Sequence, residues 1–176
     1  LFYQAGIAVV ITLSAVYAQL VMKFTTAQTI TLILVVNITA AIGAFVFGYV
    51  QDRLGHKKTL ALTILLWIIM GVMAAFSHGP VSFWIAANIA GIAMGSSQSA
   101  GRAVVAVFAP AGELAQFYSA WNVAVWGANV LGPITYGTVT WLTSGDQRTA
   151  ILVTTLFFVI GLLILRRVHL PSKTVC

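Results

Sequence analysis

The chain has 176 residues, of which 60% are hydrophobic and only 7% charged, and its mean hydropathy is +1.01. A soluble domain must cover itself with polar groups, so this composition excludes one. The formal net charge of +6 does not indicate a nucleic-acid partner, because the basic residues fall between long apolar segments instead of gathering on one solvated face.

The charged residues separate six apolar segments, each long enough for a transmembrane helix. A helix needs roughly 20 residues to cross about 30 Å of hydrocarbon. We predict six helices, in chain order over residues 1–22, 27–50, 59–77, 81–107, 115–141 and 149–166. No strand alternation is visible, so the predicted fold class is all-α, an integral membrane six-helix bundle.

Basic residues predict the orientation of these helices. If residue 1 is cytoplasmic, six crossings leave only Lys23 and Arg148 on the far side, and the cytoplasmic side receives Arg53, Lys57, Lys58, Arg102, Arg166, Arg167 and Lys173. This distribution follows the positive-inside rule. Both chain ends are then cytoplasmic, and residues 169–176 form a cytoplasmic tail.

Groups typical of enzymes and metal sites do not occur together in the sequence. The single cysteine, Cys176, can form no internal disulfide, and His56, His78 and His169 lie far apart. No metalloprotease motif, intramembrane carboxylate pair or phosphate-binding loop is visible. We therefore expect no enzyme activity, no metal and no cofactor. The chain starts with Leu1 inside the first predicted helix, without signal-peptide features, so we expect a piece of a longer chain.

Residues 48–58, GYVQDRLGHKK, are far more charged than the segments around them. A bilayer-spanning chain keeps charge in headgroups or water, so this stretch must be a turning point between the second and third helices. Gly48 is expected to end a helix where close approach matters. Gly55 permits a positive φ, and Lys57 and Lys58 start the next helix.

Helix four ends in GSSQSAGR (residues 95–102), which puts Gln98 and Arg102 one turn apart on one face. Polar groups at membrane depth usually face a cavity or a partner, so this face can form a cavity wall in which Arg102 binds an anionic group. Alternatively, Arg102 snorkels to the cytoplasmic headgroups.

Helix five carries Tyr118, Asn122, Trp126 and Asn129 at spacings of four, four and three. This spacing predicts one inward-pointing stripe that lines a substrate path. The alternatives are an Asn that bridges helices and aromatic side chains in the interface belt. Asn37 in helix two is a further candidate for the cavity.

A Gly-Pro pair in helix five and a glutamate just before it each allow a structural and a functional interpretation. Gly132 and Pro133 together predict a kink, which either serves gating or only packing. Glu113 precedes the helix, where a negative charge suits the helix dipole.

An internal repeat relates residues 43–59, GAFVFGYVQDRLGHKKT, to residues 132–149, GPITYGTVTWLTSGDQRT. The matched positions are Gly43, Gly48 and Gly55 with Gly132, Gly137 and Gly145, followed by Lys58-Thr59 with Arg148-Thr149. Each repeat, over about residues 1–77 and 81–168, holds three helices, so the second copy enters the membrane from the opposite side. Chance recurrence of glycine at helix ends is the alternative, since membrane helices tolerate glycine.

The charged stretch resembles the signature loop of the major facilitator superfamily of secondary transporters, G-x-x-x-D-R-x-G-x-K-K. Its defined positions are Gly48, Asp52, Arg53, Gly55, Lys57 and Lys58, and we call residues 48–58 the signature loop. The resemblance implies that Asp52 meets a helix N-terminus in another six-helix half and latches one face of the transporter. It also implies that Arg53, Lys57 and Lys58 hold the loop to neighbouring backbone carbonyls and anionic headgroups.

Most of the chain is similar to one branch, the autophagy-related vacuolar amino-acid effluxers and their bacterial relatives. The similarity rests on LFYQAG (1–6), the signature loop, GSSQSAGR, and PAGELAQFYSAWNVAVWGANVLGP (110–133), and it indicates the C-terminal half. Family members generally carry an acid where this chain has Ala5, and often a glutamate near Gln116. We therefore assign no proton-coupling residue.

The resemblance implies half of a twelve-helix transporter that moves a small polar solute, such as an amino acid, by alternating access. The expected partners are a missing N-terminal six-helix half, the solute and membrane lipid. The expected location is a bacterial cell membrane or, alternatively, a vacuolar membrane. The alternative functions are a non-transporting interaction or regulatory module derived from a truncated transporter, and two copies of the chain that pair to replace the missing half.

Overall fold

The computed structural model describes residues 1–110 and 112–168, which form six helices joined by short loops. They are α1 Phe2–Leu20, α2 Thr26–Leu54, α3 His56–Ala75, α4 Pro80–Phe108, α5 Leu114–Leu142 and α6 Gln147–Arg167. The described residues contain no strand, so the predicted all-α six-helix bundle is confirmed. The predicted tail, residues 169–176, lies outside the described residues.

Local sequence signals set several of these helix boundaries. α2 starts with a capping box, in which the Thr25 side chain accepts from the backbone of Gln28 and the Gln28 side chain accepts from the backbone of Thr25. α4 starts at Pro80, which needs no backbone donor at that position. α2 runs to Leu54, beyond the predicted end at residue 50, because the polar residues of the signature loop continue the helix until Gly55 ends it.

Four helices in the described ranges, α1, α2, α3 and α6, are long and apolar enough to cross a membrane. The other two, α4 and α5, have 29 residues each, which exceeds the length needed. Their mean hydropathy is lowered by Gly, Ser, Asn and Gln. The polar residues that the sequence offers for a solute path are therefore concentrated in these two helices.

The main helix contacts have an exchange symmetry. α1 packs on α5, α2 packs on α4, and α3 packs on α6, while α3 also contacts α4 and α1 also contacts α6. Exchanging α1 with α4, α2 with α5 and α3 with α6 converts each of these contacts into another one, and converts the α3–α6 contact into itself. Two three-helix units related by a two-fold axis would have this pattern.

Glycines allow α2 to pack closely on α4, and α5 to pack closely on α1. A Cβ at Gly43 on α2 would lie 2.5 Å from the carbonyl oxygen of Ile92 on α4. A Cβ at Gly132 on α5 would overlap the carbonyl oxygen of Ala5 on α1. Small residues at helix crossings are the usual means of close packing in membranes.

The main buried cluster lies between α1, α3, α4 and α6. The rings of Trp67 and Phe158 are stacked with centroids 5.2 Å apart, and the Trp67 indole N–H donates to the Ser97 hydroxyl at 3.2 Å. Buried hydroxyls nearby bond to the backbone of their own helix, as Thr63 does to Leu60 O at 2.8 Å and Thr154 to Ala150 O at 2.8 Å. These interior polar groups therefore need no water.

Candidate functional site

The signature loop is a tight helix-to-helix turn. Gly55 is the only residue between α2 and α3, and its φ of 81° and ψ of 162° lie in a region that is essentially restricted to glycine. Its N–H donates to Gln51 O at 2.9 Å. The predicted positive φ of Gly55 is therefore confirmed, as is the start of α3 close to Lys57.

Gly48 differs from its prediction. It does not end a helix, since α2 continues for six more residues, and a Cβ at Gly48 would meet nothing within 4 Å. The prediction of a helix end was wrong because charge was read as the end of the helix, although Asp52 and Arg53 are compatible with helical structure. Close packing of α2 is made at Gly43 instead.

The charged residues of the signature loop have two different environments. Asp52, Arg53 and Lys58 are exposed, and no described residue forms a hydrogen bond to the Asp52 carboxylate. Lys57, in contrast, donates from Nζ to Arg166 O at 3.0 Å and to Val168 O. These carbonyls belong to the C-terminal end of α6, where a cation also suits the helix dipole.

The opposite end of the same helix pair has a corresponding contact. Arg148 donates from Nη2 to Ser77 O at 2.8 Å, just beyond the C-terminal end of α3. Lys57 and Arg148 are each the second residue of their helix. We call these two contacts together the α3–α6 clasp. The sequence repeat matches Lys58 with Arg148, one residue away from this pair, and only the observed helix starts, His56 and Gln147, put Lys57 and Arg148 at the same position.

The glycines matched by the sequence repeat have matching environments. Gly43 and Gly132 both lie against the backbone of another helix, while a Cβ at either Gly48 or Gly137 would meet nothing within 4 Å. Gly55 has a φ of 81° and Gly145 a φ of 95°. All three pairs thus have the same structural role in the two parts of the chain.

Asp146 caps α6, which follows the loop from α5. Its carboxylate accepts from the Arg148 N–H at 2.9 Å and from the Thr149 hydroxyl. The Thr149 hydroxyl, followed by the backbone N–H groups and the charge of Arg148, lowers the pKa of Asp146 below its ordinary value. The charged cap therefore stabilises the helix fully above that ordinary value, and this stabilisation is lost as the pH falls through the lowered pKa.

Arg102 lies near the end of α4, and its side chain is exposed. Its backbone carbonyl accepts from the Tyr118 hydroxyl at 3.1 Å, which joins α4 to α5. Gln98, one turn earlier, is partly buried. This position at the helix end is compatible with both predictions for Arg102, a cavity wall and a snorkelling cation.

The spacing of the polar residues on α5 predicts an inward-pointing stripe, but the structure places it on the surface of the six-helix bundle. Asn122 and Asn129 are exposed, and Trp126 is 70% exposed. Tyr118 is partly buried. The packed face of α5 instead consists of small or aromatic residues, Ala128, Gly132 and Tyr136, because α1 approaches too closely for an amide to fit there.

Asn37 on α2 is also exposed, and its amide donates to Ile33 O at 2.8 Å. It lies at the rim of a cavity of about 250 Å³ formed by all six helices. Most of the cavity wall is apolar, with Leu32, Trp67 and Met70 among the lining residues. Gly132 and Pro133 lie within α5, which continues as one helix through both.

The structure thus brings together some of the predicted residues and separates others. Arg102 and Tyr118 meet where α4 and α5 approach, and Lys57 meets the end of α6. Asn37, on α2, lines the cavity instead. No group of three His, Cys, Asp or Glu that could hold a metal occurs in the described part of the chain.

The chain is similar to known membrane transport proteins. The family model described as "Vacuole effluxer Atg22 like" matches residues 1–175. A curated relative from Bacillus subtilis, described as an uncharacterized MFS-type transporter, is 27% identical over 173 residues, which is 98% of this chain and 40% of the relative. A putative metabolite transport protein from Haemophilus influenzae is 33% identical over 133 residues, which is 73% of this chain and 32% of the relative.

Among solved structures, the inward-open xylose transporter XylE from E. coli matches with a TM-score of 0.79 at 19% identity, over 96% of this chain and 45% of that chain. This likeness shows a shared fold. The chain spans less than half the length of each of these proteins, and its homologues are transporters, not enzymes. It is an integral membrane protein of the major facilitator type and belongs to the Atg22-like vacuole effluxer family.

Proposed function

We propose that this chain is the C-terminal half of a secondary transporter that moves a small polar solute by alternating access. The missing partner is a six-helix half upstream in a longer chain. The lengths of the relatives support this proposal, since the chain spans 40% of the Bacillus subtilis protein and 45% of XylE.

The exposed amide of Asn129 carries the proposal. Asn129 lies next to the centre of α5, which runs from Leu114 to Leu142, so it belongs near the middle of the bilayer. An amide at that depth needs water or a protein partner, because lipid chains offer no hydrogen bond. We infer that the face with Asn122, Trp126 and Asn129 lines the solute path between the two halves. Gln98 and Arg102 on α4, and Asn37 on α2, would extend this lining.

Asp52 has the exposure that a latch requires. Its carboxylate is free to meet the N-terminal end of a helix in the other half, where the backbone dipole attracts an anion. Such a contact would form in one conformation and break in the other. Asp52 would then bias the equilibrium between inward-open and outward-open forms.

The alternating mechanism rests on two inverted repeats, about residues 1–77 and 81–168. The exchange symmetry of the helix contacts and the matched environments of the three glycine pairs support this division. The gating role of the Gly132-Pro133 pair stays a prediction. We assign no coupling ion, because the buried position 5 holds an alanine, which has no ionisable side chain.

We place the transporter in a bacterial cell membrane, with the signature-loop end in the cytoplasm. The relatives from two bacteria support this location, and the family description leaves a vacuolar membrane as the alternative. In the described residues, six basic and two acidic side chains lie at the signature-loop end, whereas two basic residues and one acidic residue lie at the other. This asymmetry supports the orientation.

Solute uptake by the full-length protein in proteoliposomes tests the proposal. Amino acids come first in the screen, because the resemblance implies them, followed by sugars and organic acids. Asn129→Ala removes one hydrogen bond, worth about 1 kcal/mol, so kcat/KM should fall about fivefold. Thr138→Ala, an exposed change on another face of α5, is the matched control and should change little.

Two results would contradict the proposal. If folded full-length protein transports no solute of any class, the chain belongs to a non-transporting membrane module. If transport occurs but Asn122→Ala and Asn129→Ala both leave kcat/KM unchanged, the solute path lies elsewhere. Crosslinking through Cys176 checks for pairing between two copies of the chain.

A further inference from the structure

α3 and its C-cap, Phe76, have an exposed apolar stripe that starts with a cation. Lys58 is followed at helical spacing by Leu62, Leu65, Ile69, Val72 and Phe76, and these five apolar side chains are 40 to 62% exposed. Residues three and four apart lie on one face of a helix. This face of α3 is therefore turned away from the bundle and meets lipid.

α6 has a similar stripe that ends with a cation. Leu152, Leu156, Ile160 and Leu163 are exposed at the same spacing, and the next position is Arg167. α3 and α6 run in opposite directions, so Lys58 and Arg167 lie at the same end of the pair. Both stripes thus have their cation at the signature-loop end.

The α3–α6 clasp brings these two cationic ends together. Lys57 Nζ lies 3.0 Å from Arg166 O, so the first turn of α3 contacts the last turn of α6. Lys58, Arg166 and Arg167 are all exposed beside this contact. The first turn of α3 contains no acidic residue, and its N-cap, Gly55, offers no side-chain cap. Basic side chains outnumber acidic ones by six to two at this end in the described residues, and the excess positive charge lies at the membrane surface above two apolar stripes.

The other end of the pair differs in charge. There the α3 stripe ends in Phe76, and the cation of α6, Arg148, donates to Ser77 O. Asp146 lies two residues before Arg148 and accepts from its backbone N–H. At that end, the Arg148 side chain is already hydrogen-bonded, and the Asp146 carboxylate lies close to it in the sequence. The two apolar stripes therefore end there without a comparable excess of positive charge.

We infer that the signature-loop end of the α3–α6 pair binds an anionic phospholipid. Lys58, Arg166 and Arg167 would hold its phosphate through charge-assisted hydrogen bonds, and its acyl chains would lie along the two stripes. A zwitterionic lipid offers the same chains without net negative charge, so it should bind more weakly. The inference goes beyond the proposed function, since it holds whichever solute is moved.

Native mass spectrometry of the full-length protein in detergent, titrated with phosphatidylglycerol or phosphatidylcholine, tests the inference. The variant K58Q/R166Q/R167Q retains Lys57 and thus the clasp. We expect the parent to prefer phosphatidylglycerol, and the affinity for it to fall about fivefold for each cation removed. The control R148Q with K23Q, which removes two cations from the other end and one contact of the clasp, should bind phosphatidylglycerol as the parent does.

Several outcomes would overturn the inference. They are an unchanged preference in the triple variant, an equal loss in the control, and equal binding of the two lipids by the parent. Equal affinity for soluble glycerophosphoglycerol would instead show a phosphate site to which the stripes contribute nothing. If the triple variant does not purify as a monodisperse protein, the single changes K58Q and R166Q should each lower the affinity about fivefold, and no loss in either overturns the inference.

Discussion

The loop that joins α2 to α3 and the loop that joins α5 to α6 have the same backbone plan but different side chains. Both follow a helix that packs through a glycine against the backbone of another helix, and both turn at a glycine with positive φ. Both lead into α3 or α6, and the second residue of each of these two helices donates to the C-terminal end of the other. Where the first loop has Asp52 and Arg53, the second has Trp141 and Leu142, of which Trp141 is 79% exposed.

This difference separates what stabilises the bundle from what acts on another part of the protein. The shared features, the glycines and the α3–α6 clasp, make contacts within the six helices. Asp52 has no counterpart in the second loop, and its carboxylate has no partner among the described residues. An exposed Trp is common at a membrane interface, whereas an exposed Asp next to a helix end can act as a latch.

The largest expected effect is on the shared crossings. Gly43→Ala and Gly132→Ala each force a Cβ against backbone that cannot move easily, so each should cost about 3 kcal/mol. Gly48→Ala and Gly137→Ala place the same methyl group in open space and are the matched controls. The temperature at which the purified full-length protein loses monodispersity on heating should fall for the first two only. A loss in one crossing without the other would break the equivalence of the two units.

A smaller effect is expected from Asp52→Asn in the full-length transporter. Losing the attraction between a carboxylate and a helix N-terminus should shift the ratio of inward-open to outward-open forms by about tenfold and lower turnover, because such contacts contribute up to about 2 kcal/mol. Spin-label distances and proteoliposome uptake measure the two quantities.

Asp146→Asn at the second loop is the matched control, since this carboxylate caps its own helix. It should leave the conformational ratio as in the parent. If Asp52→Asn changes neither turnover nor the conformational ratio, Asp52 is not a latch.

The smallest expected effect is on the clasp. Lys57→Gln removes donors to two carbonyls, and Arg148→Gln removes a donor to one. Each change should lower the free energy of unfolding by about 1 kcal/mol, with the larger loss at Lys57, because both groups are partly open to solvent. Chemical denaturation in mild detergent measures this loss. A twofold-related clasp is contradicted if one of the two changes has no effect and the other a large one.

Hydrophobic segment lengths were enough to predict the six helices, and the glycine spacing was enough to find three pairs of glycines with matching environments. The sequence failed at the end of α2, because charge marks the membrane surface and not the end of a helix. It also failed to show which way the stripe on α5 points, since helical spacing fixes a shared face but not the neighbour of that face. The partners of Lys57 and Arg148 are more than 70 residues away in sequence. These contacts therefore become visible only when α3 packs on α6. Once one contact is known, the repeat suggests the other.

Cysteine accessibility tests most directly whether two inverted units cross the membrane. In a Cys176→Ser background of the full-length protein, Arg53→Cys, Arg167→Cys and Ser144→Cys are each exposed positions for a membrane-impermeant maleimide. Inverted units with a cytoplasmic signature loop predict that positions 53 and 167 react only in inside-out vesicles, and that position 144 reacts only in right-side-out vesicles. Labelling of positions 53 and 167 from opposite sides, or of position 144 from the same side as both, would contradict the inverted arrangement.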